Sequence, residues 1–257
     1  MPGVRRRLGP VLVAAVALAC GGPVAPARAT TVASYDVPGR PAVNEVRVIG
    51  HSVRGRAIVA WRVGDPDSSN KVVALSTLHG NEPHTRRILA SIRDGRPVHG
   101  VDLWLVPVVN PDGLARHTRK NAHGVDLNRN FPSHWVDLDG SYESGPSAGS
   151  EPETQALMAF FDEVRPRRVV SFHQPLHGVD VSTARSRPFA SRLARYLDLP
   201  RRSLTCGGVC HGTFTEWYMA RHGGQAVTVE YAHHPSRHRM TVTAPRRLLR
   251  VVGAHAG

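Results

Sequence analysis

The chain has 257 residues, a formal net charge of +13, and 41% hydrophobic against 21% charged residues. This composition excludes intrinsic disorder, a collagen-like fibre and a disulfide-dense miniprotein, and it leaves room for one domain with a full core. No apolar run reaches the ~18–20 residues that a membrane-spanning helix needs. Basic residues are scattered and aromatics amount to 6%, so no stacking platform for nucleic acid is visible. The excess positive charge is expected to steer toward an anionic cell wall or cell surface.

In chain order the first element is a leader. Arg5-Arg6-Arg7 precedes the nine-residue apolar stretch 11–19, and Ala27-Arg28-Ala29 offers a small-x-small cleavage site. That combination reads as a signal peptide over residues 1–29, too short to span a bilayer, followed by a folded domain over 30–257.

Within the domain, apolar strands alternate with helices. Residues 72–78 (VVALSTL) form a buried strand ending at His79-Gly80-Asn81, with a helix expected from Glu82 and Ile88, Leu89 and Ile92 on one face. Residues 101–109 read as a second strand, closed by the turn Asn110-Pro111-Asp112-Gly113. Ser150-x-x-Glu153 has the pattern of a capping box opening a helix to Val164. A third strand covers 168–172 and stops at His173; segments 189–197 and 213–221 read as helices. Residues 226–231 (AVTVEY) are a fourth strand, and 244–252 a closing helix. The alternation predicts an α/β fold, a sheet covered on both faces.

The polar residues fall in telling places. His79 follows the first strand, His173 the third, and Glu230 lies inside the fourth. Open α/β sheets bind ligands at the carboxyl ends of their strands, and a buried His or Glu is costly unless paired or bound. His79 and Glu82 stand three residues apart on one strand-to-helix turn. With a distant histidine they would make a His2Glu zinc site that keeps a position open for water. The pattern differs from HExxH, in which both histidines share a helix. Cys206 and Cys210, in the Gly-rich stretch TCGGVC, suit a local disulfide in an exported protein, since no second cysteine pair completes a zinc ribbon.

The segments HGNE (79–82), NPDG (110–113), RKN (119–121), GVDLNRNF (124–131), SFH (171–173) and VEY (229–231), in that order, resemble the zinc carboxypeptidase, or funnelin, family of metallopeptidases. The match runs over about residues 71–235, and GVDLNRNFP with GSEPETQAL is most similar to the short bacterial amidases that act on murein peptides. The resemblance implies a mixed, mostly parallel central sheet with helices on both faces in a single domain. It implies one Zn2+ per chain held by His79, Glu82 and His173, with Glu230 as general base toward the attacking water and the leaving amine. Arg119 would polarise the scissile carbonyl and stabilise the oxyanion. Asn128 and Arg129 would hold the substrate's terminal carboxylate, while Asp126 and Asn130 are expected to shape the loop.

Two departures bear on specificity. The tyrosine that larger relatives place over the substrate is missing, and the Cys206–Cys210 loop stands there instead. The stretch HGTFTEW (211–217) is expected to line the pocket for the terminal side chain, with Thr215 at the selectivity position. A residue neither acidic nor apolar argues against a preference for basic or aromatic ends and suits a zwitterionic side chain such as that of meso-diaminopimelate. The expected activity is therefore an exported, monomeric zinc metallopeptidase that cleaves the γ-D-glutamyl–meso-diaminopimelate bond of peptidoglycan peptides. A general metallocarboxypeptidase, an N-acyl amino acid deacylase and an inactive wall-binding module stay open as alternatives.

Overall fold

A computed structural model describes residues 39–205 and 210–257. The expected leader (1–29) and Cys206 lie outside the described residues. Two strands, β1 (Val43–His51) and β2 (Ala57–Gly64), open the domain as an antiparallel pair. β3 (Lys71–Ser76) leads through α1 (Arg86–Arg93) and the short β4 (Val98–His99) to β5 (Asp102–Val106). Then come α2 (Pro111–Arg116), α3 (Pro152–Val164), β6 (Arg168–His173), β7 (Leu176–Asp180) and α4 (Arg187–Leu197). β8 (Arg201–Arg202), α5 (Phe214–His222), β9 (Gln225–Ala232), α6 (Ala244–Val252) and β10 (His255–Ala256) complete the chain.

Eight strands form one sheet in the order β1-β2-β5-β3-β6-β9-β7-β8, and β4 pairs with β10 separately. The middle four, β5-β3-β6-β9, run parallel, whereas β1–β2, β2–β5 and β7–β9 are antiparallel. The sheet is thus mixed, with a parallel centre. Its central strands are buried on both faces, which is why they read as unbroken apolar runs. Period-2 alternation sends Val72 and Ala74 to the side covered by α1, α4 and α6, and Val73 and Leu75 to the side covered by α3 and α5. Each fully buried Val or Leu side chain among them contributes about 1.5–3 kcal/mol. From β3 the chain departs toward β5 on one side, and β6 lies on the other. The loops therefore diverge above β3 and leave a crevice at the carboxyl ends of the central strands.

Three local expectations are corrected. α1 begins at Arg86 rather than Glu82, because Pro83 disfavours helical geometry in the residue before it. Glu82 stays in the turn, its N–H donating to His79 O at 3.2 Å. Asn110-Pro111-Asp112-Gly113 is the start of α2 and not a plain turn. Asn110 Oδ1 accepts from Gly113 N at 2.8 Å and Pro111 occupies the first helical position. No capping box forms at Ser150: α3 starts after Glu151 with no side-chain cap, and Glu153 instead accepts from Val53 N and Asn121 Nδ2.

Candidate active site

The turn after β3 carries the first two functional side chains, and backbone contact fixes its shape. Gly80 lies so close to Gly113 and Leu114 of α2 that no Cβ fits, and its N–H donates to Arg119 O at 3.2 Å. His79 and Glu82 therefore project into the crevice from one rigid turn, both about 95% buried or more. His173 ends β6 beside them.

His79 Nδ1 lies 2.6 Å from Glu82 Oε1 and 3.4 Å from His173 Nδ1, and His173 Nδ1 lies 3.1 Å from Glu82 Oε2. One donor atom from each of the three residues falls within 4.8 Å of the others, a grouping able to hold a metal ion. The outer nitrogens are also fixed: His79 Nε2 meets Asp126 Oδ1 at 3.1 Å and His173 Nε2 meets Ser171 Oγ at 2.9 Å. Such outer partners set ring orientation at metal centres.

The electrostatics favour positive charge at this point. Burial alone would lower the pKa of His79, but Glu82 and Asp126 outweigh it and raise the value to about 9. Burial would raise the pKa of Glu82, but His79 and His173 bring it down to about 2. In Asp126, burial is likewise overcome by His79, Arg119 and Arg129, and its carboxyl is held well below the usual range. Two imidazoles and a carboxylate are also the borderline donor set that zinc accepts. The residues present fit the ion on both counts.

Around these donors lies a cavity of about 320 Å³, lined among others by Arg119, Asn128, Arg129, Thr215 and Glu230. Glu230 sits in β9 directly opposite His173 in the parallel register. It is 7% exposed, and its Oε2 accepts from Leu176 N at 3.2 Å. Burial raises its pKa, with the neighbouring Glu82 charge adding to that and His173 opposing it. Arg119 is anchored by Asp126 Oδ2 at 2.8 Å. Asn128 Oδ1 accepts from Phe214 N at 2.9 Å, which ties the loop to the start of α5. Arg129 is buried, gives Nη1 to Asn128 O at 2.6 Å, and leaves Nε without a partner among the described residues. A buried guanidinium with an unused donor is poised for an anion.

The sequence model of the zinc carboxypeptidase family matches residues 38–181. The chain belongs to that family. It is 32% identical over 190 residues to murein peptide amidase A of Escherichia coli K12, covering 65% of this chain and 74% of that protein. It is 31% identical over 162 residues to murein peptide amidase A of Vibrio campbellii, covering 58% and 62%. The solved murein-tripeptide amidase of Escherichia coli O157 superposes with a TM-score of 0.65 at 26% identity, over 80% of this chain and 91% of that one. Carboxypeptidase A of Helicoverpa armigera shares the fold, with a TM-score of 0.69 at 20% identity over 82% and 69%.

As a member of the zinc carboxypeptidase family, the chain is a metallopeptidase-type hydrolase, and every residue singled out above as a ligand or catalytic candidate lines one cavity. Three contributions were not anticipated from the sequence. Asp126 does more than shape its loop, since it holds both His79 and Arg119. Only its burial between a ligand candidate and an arginine reveals this. Asn130 does shape the loop, giving Nδ2 to Ser144 O and Ser147 O. Tyr142 lines the cavity under Arg119 and Arg129, whose guanidinium carbons lie 5.4 and 5.0 Å from its ring centroid. It brings a phenol to the cavity from the loop before α3. Beside Thr215, Glu216 also lines the cavity. The cavity wall there is therefore acidic as well as hydroxylic. Among the described residues no helix is long and apolar enough to cross a membrane.

Proposed function

We propose that this chain is an exported, monomeric zinc metallopeptidase, released by removal of residues 1–29, that hydrolyses the γ-D-glutamyl–meso-diaminopimelate bond of peptidoglycan peptides. The observation that carries the reading is the convergence of three metal-donor atoms, the Glu230 carboxylate and the Arg129 guanidinium on one cavity. The likeness to murein peptide amidases supports the substrate, as does the polar wall of Thr213, Thr215 and Thr228. The net positive charge supports a working place in an anionic cell wall.

In this reading His79, Glu82 and His173 hold one Zn2+. Zinc bound by such residues supplies Lewis-acid chemistry, polarising a carbonyl and lowering the pKa of water. Arg129, with Asn128, binds the terminal carboxylate and so sets the scissile amide over the donors. Arg119, held rigid by Asp126, donates to the carbonyl oxygen as negative charge grows there. Glu230 takes the proton of the attacking water and delivers it to the leaving nitrogen. Its buried position raises its basicity for that task. Cys206 and Cys210 close the loop beside the pocket as a local disulfide.

Incubating the protein with L-Ala-γ-D-Glu-meso-diaminopimelate, with and without a chelator, tests the reading by mass spectrometry. Chelator-sensitive release of diaminopimelate is expected. No release from protein shown to contain zinc refutes the substrate, and release from ordinary L-peptides alone favours a general carboxypeptidase.

A further inference from the structure

We infer that a hollow at the amino ends of β6 and β9 is a second binding site, for a phosphodiester-linked polyanion of the kind that a phosphate-bearing wall polymer supplies. It lies outside the catalytic cavity and does not depend on which peptide is cut.

The hollow has a volume of about 570 Å³ and is lined by Arg165, Arg167, Arg168 and His222, with Gly223 and Gly224 beside them. No carboxylate is among the residues that line it. None of the three guanidiniums takes part in an ion pair among the described residues. Arg165 Nε donates to Asp162 O at 3.0 Å, and Arg168 Nη2 donates to Asn70 Oδ1. Both acceptors are neutral, so they orient the side chains and leave the charge in place.

Arg168 is half-buried, its Cζ 5.2 Å from the ring centroid of Phe189. Burial lowers its pKa, and the charges of Arg192 and Arg167 lower it further. A guanidinium in that setting lacks a counter-charge, and a phosphate matches its fork with two hydrogen bonds. His222 Nε2 also has no hydrogen-bond partner among the described residues, Asp162 Oδ1 being 3.6 Å away. Asp162 is engaged by Arg221 Nε at 3.2 Å.

Helix polarity explains part of this cluster. α3 ends at Val164 and α5 at His222, and cations complement the negative carboxyl ends of helices. That accounts for Arg165, Arg221 and His222. It does not reach Arg167 and Arg168, which follow Pro166 into β6. Two helix ends bring about half a negative charge each. Against three guanidinium charges they leave a positive surplus.

The lining also selects among anions. No Phe, Tyr or Trp lines the hollow, so the bases of a nucleic acid find no face to stack on. Basic residues continue beyond it, with Arg185 against Gly223 and Arg192 acting on Arg168. A track longer than one phosphate suits a chain of phosphodiesters better than a single ion. His173 and Glu230 stand on the same two strands, five residues beyond Arg168 and Gln225 in register. That is about 16 Å of strand, so a polymer held here leaves the catalytic crevice open.

The test is calorimetric titration of poly(glycerol phosphate) into the full chain at low salt. Arg165→Gln/Arg167→Gln is compared with Arg195→Gln/Arg201→Gln, which removes the same charge from another hollow beside β8. Affinity should fall about tenfold in the first variant, through two lost contacts. In the second it should fall less than about twofold, through net charge alone. Circular dichroism checks that both fold. Arg167→Glu, at an exposed position, is a further variant expected to weaken binding. No binding by the wild type, or equal weakening in the two double variants, overturns the inference. So does equal affinity for poly-L-glutamate, or for inorganic phosphate at matched phosphate concentration. Competitive inhibition of peptide cleavage by the polymer would put it in the catalytic crevice and overturn the inference as well.

Discussion

Asp126 joins the candidate metal donors to Arg119 through its two oxygens, one on His79 Nε2 and the other on Arg119 Nε. Asp126→Asn keeps the shape but cannot accept from both partners with full charge. Zinc affinity should fall about 10- to 100-fold, as for other supporting carboxylates, with kcat falling alongside; competition with a chromophoric chelator measures the first. His79 predicts a proton count. With its pKa raised to about 9, the empty site is protonated at pH 7, and loading zinc should release about one proton. An ordinary histidine, with a pKa near ~6.5, would release only about a quarter of one. Calorimetry in two buffers of different ionisation enthalpy reads the number, and a value near zero contradicts the geometry.

Glu230 is costly to bury ionised, and its raised pKa gives the sign of that cost. The folded state binds the proton more tightly than the unfolded one. Stability from this group is therefore full below the unfolded value, about 4.3, and is lost as pH rises through the folded one. Glu230→Gln should then retain zinc, lose nearly all turnover, and match or exceed the wild type in thermal stability at pH 7 in the metal-free form. That stability advantage should vanish near pH 4. A destabilised variant at pH 7 would mean the carboxylate is structurally required.

At the scale of elements, the turn after β3 depends on glycine for room, not for an unusual φ. A Cβ at Gly80 would run into the backbone of Gly113 and Leu114. Gly80→Ala should cost about 1–3 kcal/mol by overpacking and weaken metal binding, because His79 and Glu82 flank the displaced backbone. Denaturant unfolding with a zinc titration checks both. The central elements were legible for a physical reason. β3, β5, β6 and β9 are buried on both faces, so their composition alone marks them. β1 and β2 mix buried with part-buried residues, β7 opens on two exposed ones, all three carry Arg, Asn or His, and β4, β8 and β10 are two residues each. The boundary of α1 was missed because Pro83 outweighs the apolar spacing that follows it.

For the molecule as a whole, the metal donors join the β3 turn to the end of β6 across the middle of the sheet. Occupancy should therefore stabilise the entire fold by linkage. At a free zinc concentration of about 1,000 Kd the gain is about 4 kcal/mol, a rise in Tm of roughly 8–16 °C for a domain of this size. Calorimetric scans before and after chelation measure it. His79, His173 and Glu230 were legible because they are polar residues just past, at the end of, or within apolar strands. Glu216 and Tyr142 were not, since a carboxylate in a helix's first turn and a half-exposed tyrosine have ordinary explanations until the fold turns both toward one cavity.

His173 and Glu230 face each other across adjacent parallel strands, in register. Their spacing is that of neighbouring strands, about 4.8 Å, so no single substitution can widen or narrow it, and a slip of one residue would turn both side chains to the opposite face. The Glu230 carboxylate and the donor cluster are in effect mounted on a common ruler. Variation among descendants of this chain should therefore accumulate in the loops around the cavity, while the spacing of His173 and Glu230 passes on unaltered.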